Sequence, residues 1–143
     1  MKHPDQIFKT IATARANSET FVACLYTGEQ LPRACAPMPR DPEPVIGLLL
    51  ESLLDTLEAV MGENPSVHDG AIMVGRLDPS SAYRITGWSY RLFPRAHPGI
   101  AVVNRGSAFH SCLAMSYVER VDAAYLVSHG RVYRFQDGVV TDV

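Results

Sequence analysis

Apolar positions along the chain follow a helical rhythm in some stretches and a strand rhythm in others. Over Pro4–Ala16, the positions Ile7, Phe8, Ile11, Ala12 and Ala14 form a weak helical stripe that Asn17-Ser18 breaks. Thr20–Tyr26, rich in Phe, Val and Leu, predicts a strand. From Gly28 to Pro44 the chain carries four prolines between Pro32 and Pro42, and then Pro44. Each proline lacks a donor and restricts the residue before it, so a connecting loop is expected there. Ile46, Leu49, Leu50, Leu53, Leu54, Leu57, Val60 and Met61 recur at three- and four-residue spacing, opposite Glu51, Asp55, Thr56 and Glu58. This predicts an amphipathic helix capped by Asp41, with Pro42 in its first turn and Gly62 as its stop. Beyond Pro65, short strands are expected at Ala71–Gly75 and Tyr83–Leu92, separated by the turn residues Asp78-Pro79-Ser80-Ser81. A loop over Pro94–Gly99, a short apolar segment at Ile100–Val103 and a helix over Ala108–Tyr117 follow. Ala123–Val127 and Arg131–Phe135 then predict a hairpin around His129-Gly130, closed at its outer end by Asp137-Gly138.

These elements add up to one α/β (α+β) domain over residues 1–143, a mixed sheet with few helices. Composition agrees. With 47% hydrophobic and 20% charged residues the chain has too much apolar content to be disordered. A net charge of −2, with no block of like charges, gives no electrostatic case for nucleic-acid binding. No apolar run approaches the roughly 20 residues a bilayer-crossing helix needs, and no apolar stretch follows the first residues as in a secretory signal. Cys24, Cys35 and Cys112 form neither a disulfide framework nor a zinc motif, so a reduced, cytoplasmic domain is expected.

Two places carry candidate chemistry. In His68-Asp69-Gly70-Ala71 a carboxylate stands at the mouth of an apolar strand, where it suits Mg²⁺ or Mn²⁺ or can help deprotonate a hydroxyl. The following glycine allows a ligand close to the backbone, although Asp-Gly is also common in ordinary turns. In Asn104-Arg105-Gly106-Ser107 a helix start offers backbone N–H groups, a hydroxyl and a guanidinium to an anion. The bland alternative is a serine cap with Arg105 in solvent. Trp88 and Tyr90 alternate about Ser89 and are expected on one strand face, where they can stack on a base or pack in a core. His68, His97 and His110 with Asp69 fit no compact metal motif, and Cys112, two residues after His110, reads as a buried thiol.

Taken in order, His-Asp-Gly-Ala-Ile-Met-Val, Thr86–Phe93, Arg105-Gly106-Ser107 with its helix, and Val121-Asp122-Ala123 resemble the diadenylate cyclase (DAC) domain family. That family opens a strand with Asp-Gly-Ala, starts a helix with Gly-Thr-Arg-His-Arg and ends in a Thr-Asp-Ala strand and hairpin. The resemblance runs over about residues 45–140. It implies a mixed, twisted sheet flanked by helices, an adenine nucleotide such as ATP or cyclic di-AMP as ligand, a divalent metal (Mg²⁺ or Mn²⁺) and two domains face to face, hence a homo-oligomer. Asp69 would be the metal-binding acid near the attacking 3′-hydroxyl, with Gly70 and Ala71 shaping its loop. Gly106 and Ser107 would meet the phosphates.

Where the family has Arg-His-Arg, this chain has Ala108-Phe109-His110. Losing two charge-assisted hydrogen bonds removes about 3–6 kcal/mol of phosphate stabilisation, or roughly 10²- to 10⁴-fold in binding or rate. His110, when protonated, and Arg105 restore part of it. The expectation is therefore a nucleotide-binding or sensing domain with weak or no cyclase activity. An active cyclase, or a non-catalytic oligomerisation module, are the alternatives.

Overall fold

The computed structural model describes residues 2–17, 20–63, 69–95 and 105–143. The expected loop over Pro94–Gly99 lies mostly outside these residues, and the Ile100–Val103 segment entirely so. Helix α1 (Pro4–Ala14) starts as the sequence dictates: His3 accepts the Asp5 amide on its side chain at 3.1 Å, Pro4 needs no amide partner, and Asp5 suits the positive helix end. Its stripe Ile7, Phe8, Ile11 and Ala12 is buried.

Among the described residues seven strands follow: β1 (Phe21–Thr27), β2 (Cys35–Pro37), β3 (Ala71–Arg76), β4 (Arg84–Leu92), β5 (Val121–Ser128), β6 (Arg131–Gln136) and β7 (Val139–Asp142). They form one sheet in the order β2-β4-β3-β1-β5-β6-β7. β1 and β3 run parallel and every other strand pairing is antiparallel. The sheet is thus mixed, as expected. The hairpin turns at His129-Gly130 and Asp137-Gly138 all take positive φ.

Helices cover both faces. α1 and α2 (Leu53–Glu63) pack with Phe21, Leu25, Ile72, Val74, Ile85, Trp88 and Tyr125 on one side. α3 (Ser107–Met115) packs Phe109, Cys112 and Leu113 against Ala124, Leu126 and Phe135 on the other. Among the described residues no helix is long and apolar enough to cross a membrane.

Four expectations need correction. The Leu-rich helix does not begin near Asp41, whose peptide to Pro42 is cis. Instead residues 45–50 lie extended along β4: Gly47 N donates to Ile85 O, Ile85 N to Leu48 O and Leu50 N to Tyr83 O, at 2.7 to 3.0 Å. Trp88 Nε1 holds Val45 O at 2.8 Å. The free β4 edge takes these backbone groups, and a 3-10 turn at Leu50–Ser52 leads into α2, which ends one residue beyond Gly62.

Second, the proline-rich segment contains the short strand β2, whose proline is tolerated because it lies on a sheet edge. Third, β7 extends the sheet beyond Asp137-Gly138; its short, exposed valines gave no alternating pattern. Fourth, Trp88 and Tyr90 lie on opposite faces. Ser89 sits at φ +58°, and the β3–β4 register slips between Ala71 and Met73, so the bulge reverses the alternation. Trp88 enters the α1/α2 core and Tyr90 the opposite face.

Several protons are held by the fold. Burial, aided by the Asp122 carboxylate that Tyr83 bonds at 2.6 Å, pushes the Tyr83 phenol up. Burial and a hydrogen bond to Asp5 raise Tyr125 in the same way, and burial raises the Cys24 and Cys112 thiols. Each group keeps its proton in the folded state to a higher pH than in the unfolded chain. Their stabilisation is complete below the ordinary thiol and phenol values, about 8.5 and 10, and is lost as pH climbs from there through the raised folded values. Urea-unfolding free energy is therefore expected to hold near neutrality and to fall above about pH 9 by up to ~1.4 kcal/mol per pH unit per group. Tyr83→Phe should make that slope shallower; an unchanged slope contradicts the assignment.

Candidate functional site

A cleft of about 410 Å³ opens at the amino-terminal ends of β1 and β3. Asp69, Gly70 and Ala71 form one wall, and Ser107, Ala108 and Ser111 of α3 another. The two sequence segments singled out for chemistry thus face one hollow. Its size falls in the range of small-molecule sites.

Asp69 is exposed just ahead of β3, while Ala71 is already buried. Between them Gly70 is needed for a reason the sequence did not reveal. A Cβ there would lie 2.5 Å from the Ser89 carbonyl carbon, 2.7 Å from Ser89 Cα and 2.7 Å from Met38 Cε. The space expected for a ligand is filled by the β4 bulge. Gly70→Ala should therefore cost about 1–3 kcal/mol by forcing β3 and β4 apart. Gly106→Ala, where a Cβ meets nothing within 4 Å, should change stability by less than about 1 kcal/mol. Comparing the two melting temperatures checks this, and equal effects would contradict it.

Gly106, with extended backbone, is the N-cap of α3, so Ser107 is its first helical residue and not the cap. Gly106 has no side chain to cap the first turn. The first-turn N–H groups carry the positive end of the helix dipole toward the same side. Ser107 and Ser111 stand four residues apart and share a helix face, with Ala108 beside them. Ser111 was missed in the sequence, although that spacing from Ser107 was the available signal. The strap before α2 closes another side: Met38 N donates to Ser89 O at 2.9 Å and Met38 lines the cleft. Tyr90, opposite Ala71 in the sheet, adds an aromatic wall, with the Arg40 guanidinium 5.3 Å from its ring centre.

Three expected contributors, Arg105, His110 and Gly106, stand outside the cleft lining. Arg105 lies 4.3 Å over the Phe109 ring and 5.5 Å from that of Tyr133, toward β6. The two aromatic faces attract its guanidinium, and it does not line the cleft. His110 is half-buried, its ring edge-on to Phe109 at 6.3 Å. At 100° per residue it sits on the other side of Ser107 from Ala108, outside the lining. Gly106 is exposed beside the cleft and also outside its lining. His68, His97 and Asn104 lie outside the described residues. Cys112 is fully buried and its thiol pushed up by burial, so it is no nucleophile.

Among the described residues, the charged ones lining the cleft are Asp69 and Arg91. Among the described residues no cluster of three or more His, Cys, Asp or Glu is arranged to hold a metal ion. A single carboxylate suits Mg²⁺ or Mn²⁺ only when phosphate oxygens and water complete the coordination.

No protein-family model and no curated protein sequence matches the chain. Solved structures do. A Bacillus cereus protein described as a hypothetical membrane spanning protein superposes at a TM-score of 0.65 with 18% identity, over 97% of this chain and 60% of that one. The chain thus spans less than two thirds of that relative. DacA, a diadenylate cyclase from Staphylococcus aureus, superposes at a TM-score of 0.54 with 16% identity, over 96% of this chain and 83% of its own. At such identities the likeness speaks for the fold alone: a mixed seven-stranded sheet with helices on both faces, similar to that of DacA.

Proposed function

We propose that the protein binds an adenine nucleotide, ATP or cyclic di-AMP, in the cleft between Asp69 and α3, as a sensing domain with weak or no cyclase activity. The observation that carries this reading is the meeting of an exposed carboxylate with the first turn of α3 on one hollow. Asp69 would hold the Mg²⁺ or Mn²⁺ that accompanies the phosphates. When bound, the ion supplies charge neutralisation and orientation. The α3 amides, with the Ser107 and Ser111 hydroxyls, would receive phosphate oxygens.

The weakness of catalysis follows from what the helix lacks. Ala108 stands in the cleft wall, Phe109 is packed on Phe135 at 4.9 Å between ring centres, and His110 lies outside the lining. None of these brings the fixed positive charge that developing phosphate charge requires. Three free cysteines support a cytoplasmic setting, and the sequence resemblance to the DAC family supports pairing of two copies.

A thermal-shift panel of purine nucleotides with and without Mn²⁺ tests the reading. At 100 times the dissociation constant a ligand specific to the folded state stabilises it by about 2.7 kcal/mol, equivalent to a rise of about 9 °C for a chain of this size. No shift with any purine nucleotide would overturn it. Rapid conversion of ATP to cyclic di-AMP would overturn the claim of weak catalysis.

A further inference from the structure

β1 and β3 are the parallel pair of this sheet, and their carboxyl ends hold a second cavity of about 490 Å³. It lies at the opposite end of these strands from the Asp69 cleft, roughly 20 Å away at about 3.3 Å per residue. The Gly28 amide donates to Arg76 O at 2.8 Å and ties the two strand ends together. The carboxyl ends of parallel strands, where loops diverge, are a recurrent place for ligands.

Its lining has a defined polarity. Gly75 in mid-sheet makes room for the Tyr26 ring: a Cβ there would be 2.5 Å from Tyr26 Cζ and 2.7 Å from its hydroxyl. The Tyr26 hydroxyl lies 2.8 Å from Thr86 Oγ1. Thr86 has one hydroxyl proton and donates it to Met73 O at 3.2 Å. Either oxygen can donate in this pair; where Thr86 donates to Met73 O, Tyr26 donates to Thr86 and its own oxygen is left as an acceptor. Burial pushes the Tyr26 phenol up, so the proton stays in place.

Among the described residues the charged lining is Glu29, Arg76 and Arg84, and Arg76 is ion-paired with Asp122 at 3.7 Å. Arg76 is committed: its Nε donates to Thr27 at 2.9 Å, and its guanidinium stacks 4.5 Å from the Tyr83 ring centre. Arg84 gives one donor to Gly47 O at 2.9 Å and is exposed. Ala82 and the exposed Leu77 provide apolar surface.

We propose that this cavity is a second binding site, for a small organic acid with a flat apolar body and a hydroxyl or amine donor at its far end. The donor bonds Tyr26 oxygen, the body lies against Ala82 and Leu77, and the carboxylate pairs with Arg84. The inference does not depend on nucleotide binding at Asp69.

Titration of the isotopically labelled full chain with millimolar 4-hydroxybenzoate, followed by backbone amide shifts, tests it. Shifts are expected at Gly28, Gly75 and Thr86 and not at Gly70 or Ser111. Benzoate, lacking the donor, should bind about fivefold more weakly. 4-Hydroxybenzyl alcohol, lacking the charge, should bind about tenfold more weakly, and Arg84→Gln should weaken the acid similarly. Glu29→Gln, which removes a like charge, should tighten it. Absence of shifts at those three amides, equal affinity for the three probes, or shifts confined to the Asp69 cleft would each overturn the proposal.

Discussion

Asp69→Asn is expected to lower the affinity for Mn²⁺-nucleotide about 100-fold while leaving the fold intact. The side chain is exposed ahead of β3, and the amide keeps its shape while removing the charge that would hold the cation. At a concentration that stabilises the parent by about 2.7 kcal/mol, the variant would gain only about 0.4 kcal/mol. The melting shift should fall from about 9 °C to between 1 and 2 °C. Metal-free nucleotide should bind the variant at least as well as the parent, because the α3 amides are untouched and a carboxylate that repels phosphate is gone. A variant that keeps the full Mn²⁺-dependent shift would place the cation elsewhere.

Trp88→Ala is expected to be the most damaging change to stability, at about 3–5 kcal/mol, or roughly 10–17 °C in melting temperature. Trp88 is fully buried against the α1/α2 core. Its indole N–H also fixes Val45 O, so the segment that runs along β4 would lose its anchor. Trp88→Phe should retain most of the packing and lose the hydrogen bond, costing markedly less than the alanine. Chemical denaturation of the two variants checks both numbers; a loss below about 1 kcal/mol for the alanine would contradict the packing described.

Much of this fold is legible in the sequence because strand burial dictates composition. Ala71–Arg76 and Val121–Ser128 are almost wholly buried, so their apolar runs announce them. The α1 stripe and the glycine turns are equally local signals. What the sequence hides is settled by distant partners. Ile46 and Leu49 keep helical spacing with α2, yet the backbone of 45–50 bonds to β4, and both side chains remain exposed. Sheet completion outweighs a helical pattern when an unpaired edge lies within reach.

The site divides in the same way. The acid at 69 and the helix start after 106 are visible because each carries its own local chemistry, and the fold brings them to one cleft. The role of Gly70 depends on the Ser89 bulge two strands' width of sequence away, and no local pattern marks it. Arg105 belongs by residue type to an anion site, but the aromatic pair Phe109 and Tyr133 offers it a nearer partner. Ser111 was readable only with the helix register in hand.

Paramagnetic broadening by Mn²⁺ bound with ATP measures most directly whether one ligand spans Asp69 and α3. Amides of Gly70, Ala71, Ser107 and Ser111 should broaden together when both ion and nucleotide are present, and far less with the ion alone. Broadening that spares either the start of β3 or the first turn of α3 would contradict the account.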